Sequence, residues 1–89
     1  MAQEESPKIE YPCRYPIKVM GLDVDDYSAA IVDIIRIHAP DLGDEDISYR
    51  PSREGKYLAV NVIITAHSLE QIQALFNDLK ASGRVAMVL

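Results

Sequence analysis

The chain has a single cysteine, Cys13, among its 89 residues. No disulfide can close within it, and neither a thiolate metal cluster nor a redox pair can be assembled from one thiol; a reducing compartment fits. Histidine is scarce too. His38 and His67 stand in separate parts of the chain, without an i, i+4 pair or an accompanying carboxylate in a ligand pattern, so no metal and no cofactor is expected. Nothing approaches the roughly 20 apolar residues of a membrane span. The opening MAQEESPKIE lacks the apolar run and cleavage site of a secretory signal. These absences predict a soluble, cytoplasmic protein with no membrane partner. Basic residues are outnumbered, nine against fourteen acidic, giving a net charge of −5. That sign repels phosphate backbones, so nucleic acid is not expected as a partner.

What is present is a clear set of periods. Residues 1 to 12 read as a flexible tail and 13 to 89 as one domain. From 14 to 20 the chain alternates, Tyr15, Ile17 and Val19 against Arg14, Lys18 and Met20, as a strand with one buried face does. Gly21 is read as its end. Asp23, Asp25 and Asp26 then suit a helix start, where carboxylates accept unpaired N–H bonds. Ile31, Ile34, Ile35 and His38 form a helical stripe over 25 to 39, stopped by Pro40, and His38 is expected to cap carbonyls at that helix end.

A second strand is predicted over 46 to 51, a turn at Ser52 to Lys56, and a third strand over 57 to 66 with Leu58, Val60, Val62 and Ile64 inward. Ser68 and Gln71 make a capping box ahead of the stripe Leu69, Ile72, Leu75, Phe76 and Leu79, predicting a helix over 68 to 82. Gly83 is placed for a left-handed cap, and a last strand is expected over 84 to 89. The order β-α-β-β-α-β, with one apolar face per element, predicts an α+β, ferredoxin-like two-layer sandwich. Both helices cover one face of a four-stranded antiparallel sheet in the order 4-1-3-2.

Such sheets host many functions. An RNA-binding sheet carries stacking aromatics on its central strands; here GKYLAVNV keeps Tyr57 but has Ala59 at the second position. No base is identifiable beside Cys13, and Ser68 is committed to its cap, so no catalytic residue is assigned and an enzyme is not expected. A half-apolar open face (Tyr57, Ile63, Ala86, Val88) with short edge strands predicts a homodimer.

The segments YPIKVMG, IHAP, RPSREGKYLAVNVIITA, LEQIQALFNDL and VAMVL, spanning Tyr15 to Leu89, resemble the YbeD-like proteins, small bacterial proteins of unknown function. The resemblance implies a fold similar to ACT domains, which bind amino acids and regulate metabolic enzymes, and no catalytic set comes with it. The family's gene often lies near one for lipoyl attachment, which implies a metabolic context. In ACT domains the effector commonly sits at a subunit interface against the loop after the first strand. That loop usually holds an acidic residue and a Pro-Gly pair, whereas this chain has Met20, Gly21, Leu22 and Asp23. Those four are the candidate ligand-binding residues; the other reading of Gly21 is a backbone geometry closed to other residues. Crowded aspartates oppose a purely anionic ligand and favour a zwitterion or amine. Two readings follow: a non-enzymatic regulatory module binding a small, amino-acid-like metabolite, or an adaptor docking on another protein through a sheet edge or the open face.

Overall fold

A computed structural model describes residues 10–89, so most of the expected tail lies outside the described residues. The elements are β1 (Cys13–Leu22), α1 (Tyr27–His38), a 3-10 turn (Asp44–Asp46), β2 (Ile47–Pro51), β3 (Tyr57–Ala66), α2 (Leu69–Ala81) and β4 (Met87–Val88). The sheet runs β2-β3-β1-β4, all pairs antiparallel, which is the expected order read from the opposite edge. The two strands with the clearest alternation are central. Every described helix falls short of the length and apolarity needed to cross a membrane.

β1 is longer than its own alternation predicts because β3 templates it. The two pair residue for residue, from Cys13 opposite Ala66 to Leu22 opposite Tyr57. Gly21 therefore does not end the strand; it lies inside it, opposite Leu58. β4 is shorter than expected and its phase differs by one residue. Val88 faces Val19 and packs on the core, while Met87 faces Met20 on the open side. The open face is thus completed by Met87 and Leu89 rather than by Ala86 and Val88.

The core lies between helices and sheet. Ile17, Val19, Val60, Val62 and Ile64 meet Ile31 and Ile35 from α1 and Leu75 and Leu79 from α2, all at most 2% exposed. Leu69, expected in the stripe of α2, is half-exposed at the first turn. The Ser68 Oγ accepts the Gln71 N–H at 3.1 Å as predicted, while the Gln71 side-chain oxygen accepts from the His67 N–H at 2.6 Å. The Gln71 amide also donates to the His38 carbonyl at 2.8 Å, fastening α2 to the end of α1. His38 does not cap carbonyls: its Nε2 lies 2.6 Å from Asp78 Oδ2, because the layer brings α2 alongside α1 there. Gly83 has φ +75°, the left-handed geometry expected after α2.

Candidate functional site

Strand alternation sends the residues of the first loop in different directions. Met20 turns to the open face between Ala59 and Met87. Gly21 turns to the helix layer in the row of Ile17 and Val19. A Cβ on Gly21 would overlap the Arg84 carbonyl oxygen and stand 2.7 Å from Tyr27 Cε1. The space that glycine leaves is filled by the protein's own ring and backbone. Leu22 is half-exposed at the strand end, and the Asp23 N–H donates to the Lys56 carbonyl at 2.9 Å, tying the loop to the β2–β3 hairpin.

Beyond Asp23 the chain turns sharply. Asp25 sits at φ 53°, a left-handed conformation that aspartate tolerates better than most residues. Asp26 is the N-cap of α1 but its carboxylate makes no capping bond, contrary to the role expected of these aspartates. It pairs instead with Arg84 Nη2 at 3.1 Å. Tyr27, 1% exposed, donates its hydroxyl to the Val19 carbonyl at 3.2 Å, and burial, reinforced by the Asp23 charge, pushes its phenol above the usual range.

The result is a cavity of about 330 Å³ bounded by Leu22, Val24, Asp25, Tyr27, Gly83 and Arg84. Of the four residues singled out from sequence, Leu22 lines it, Asp23 stands next to it, Met20 points away and Gly21 is covered by Tyr27. Arg84 is the residue that sequence reasoning missed. It has no local signature, since it meets Asp26 only because the turn after α2 returns the chain beside β1. The cavity therefore brings together a partly exposed guanidinium, the Asp25 side chain and the edge of a buried tyrosine. Asp26 occupies one Nη of Arg84, and both signs of charge border the cavity.

A larger groove, about 540 Å³, crosses the open sheet face along Pro16, Lys18, Asn61, Ile63, Ser48 and Leu89. Among the described residues, no group of three or more His, Cys, Asp or Glu is placed to hold a metal.

The family model described as "Protein of unknown function (DUF493)" matches residues 6–89. A UPF0250 protein of Pseudomonas paraeruginosa is 54% identical over 86 residues, covering 96% of this chain and 92% of that protein. Among solved structures, a protein from H. pylori superposes with a TM-score of 0.73 at 16% identity, over 96% of this chain and 89% of that one. The ACT domain from the GTP pyrophosphokinase of Chlorobium tepidum gives a TM-score of 0.67 at 16% identity, over 86% and 97%. The last two similarities concern the fold alone. The resemblance read from the sequence motifs agrees with these matches.

Proposed function

We propose that this chain, which belongs to the DUF493 family of proteins of unknown function, is a non-enzymatic regulatory module that binds a small zwitterionic metabolite beside its first loop. The observation that carries the reading is the cavity between the β1–α1 loop and the turn after α2, where Arg84, paired with Asp26 at 3.1 Å, shares the lining with Asp25. A ligand carboxylate meets the outer donors of the Arg84 guanidinium, and a ligand ammonium meets Asp25 or Asp23, so neither charge enters uncompensated. Leu22 and Val24 supply apolar contact for a side chain. The position corresponds to the loop that the ACT-like fold leads one to inspect, and the chemistry rests on this chain's own residues.

The test is a thermal-shift screen of amino acids, simple amines and simple carboxylates. Stabilisation by a zwitterion, weakened in Arg84→Gln and in Asp25→Asn, supports the reading. No stabilisation by any member removes it.

A second reading, an adaptor for another protein, is favoured by the apolar groove on the open face. A regulatory module needs a surface through which binding is communicated, and the sheet face lies on the opposite layer from the helices.

A further inference from the structure

β1 is paired along its whole length on one side and along only part of it on the other. β3 meets all ten of its residues, whereas β4 reaches Val19 and Met20 and, through backbone bonds with Leu89, Lys18. We propose that the uncovered edge, Cys13 to Ile17, pairs antiparallel with the same edge of a second copy, joining two sheets into one about a two-fold axis at Tyr15. This contact is independent of the loop cavity.

Backbone direction follows from the bonds already made. The Lys18 N–H donates to the Leu89 carbonyl at 3.0 Å and the Lys18 carbonyl accepts from the Leu89 N–H at 2.8 Å, so the even-numbered residues of β1 present their backbone groups to this edge. Beyond Lys18 these are the Pro16 carbonyl and the N–H and carbonyl of Arg14. None of the three has a partner among the described residues. A central strand whose ladder stops partway along one side is a template for a further strand.

The uncovered segment is complementary to itself, and that identifies the occupant. Tyr15 is its midpoint, and antiparallel pairing about Tyr15 sets Cys13 opposite Ile17 and Arg14 opposite Pro16. Each Arg14 N–H then donates to the Pro16 carbonyl of the other copy, and Pro16 has no N–H to leave stranded. The lengths agree as well. β1 begins at Cys13, so the incoming strand ends opposite Ile17, one position short of Lys18, which Leu89 holds. Tyr15, partly buried against the core, comes beside its own counterpart on the helix side. Arg14 is tied to Asp46 at 2.7 Å, so neither guanidinium crosses the seam as a bare charge. Centring the pair on Arg14 sets like charges directly opposite, and centring it on Pro16 brings two residues without N–H groups together and drives Arg14 into the place of Leu89.

The experiment mixes isotope-labelled and unlabelled full-length chain and records isotope-filtered NOEs, with light scattering over a concentration series. The expected result is a mass that rises toward that of two chains and a cross-peak between the Hα of Cys13 and the Hα of Ile17, which face each other across a non-hydrogen-bonded antiparallel pair. Within one copy those atoms lie about 13 Å apart, so the peak reports the second copy. Arg14→Pro removes the one donor that each copy supplies and keeps the bonds to β3; it should associate at least about tenfold more weakly, while Arg14→Ala associates as the parent does. Should Arg14→Pro fail to fold, the cross-peak in the parent decides alone. A chain that stays monomeric overturns the proposal, as do intermolecular NOEs confined to β2 or to the open face, or a folded Arg14→Pro that associates like the parent.

Discussion

Gly21 faces the ring of Tyr27 so closely that a methyl group would stand 2.7 Å from Cε1 and overlap the Arg84 carbonyl oxygen. This contact is what the glycine after KVM serves. It does not open a gap for a ligand; it lets α1 and the turn after α2 close on β1, and that closure sets Arg84 against Asp26.

Gly21→Ala should therefore destabilise the fold by about 1–3 kcal/mol, the usual cost of overpacking a filled site, because backbone must move as well as the ring. Urea unfolding measures it. An alanine variant as stable as the parent would show that the turn after α2 does not close against β1.

Val60→Asp should cost about 3 kcal/mol or more. Val60 is fully buried on a central strand between Val19 and Tyr49, where a carboxylate finds no partner. Melting like the parent would mean that the two faces of β3 are assigned the wrong way round.

Tyr27 gives a pH dependence with a definite sign. Its phenol loses a proton less readily in the folded chain than in the unfolded one, so the unfolded state binds fewer protons once pH passes the ordinary tyrosine value of 10.0. Its contribution is complete below that value and is lost as pH rises toward the raised folded value. Unfolding free energies between about pH 9 and pH 11 should fall more steeply for the parent than for Tyr27→Phe. Identical slopes would contradict the burial of the hydroxyl against Val19.

Legibility in the sequence followed the range of the interaction. The inward row of β3, the Ser68 cap, the stop at Pro40 and the left-handed Gly83 are set by near neighbours, and each was readable from the residues around it. Alternation alone ends β1 at Gly21, but a strand's length depends on its partner, and the ten residues of β3 carry β1 through to Leu22. The phase of β4 was missed because Val88 and Leu89 are both apolar, and only register against Val19 and Lys18 decides which turns inward. His38 and Arg84 were unreadable for a related reason: their partners, Asp78 and Asp26, are distant in sequence and meet them through the packing of the layers. The connection from β1 to α1 was legible, and Arg84 beside it was not.

Whether the cavity beside the first loop holds a zwitterion is decided by amide chemical-shift mapping. The labelled protein is titrated with pools of the standard amino acids. At least one pool should move the amides of Leu22, Val24, Asp25, Gly83 and Arg84 together, saturably, and the same pool should act more weakly on Arg84→Gln. Shifts confined to other surfaces, or a spectrum that no pool alters, would contradict it.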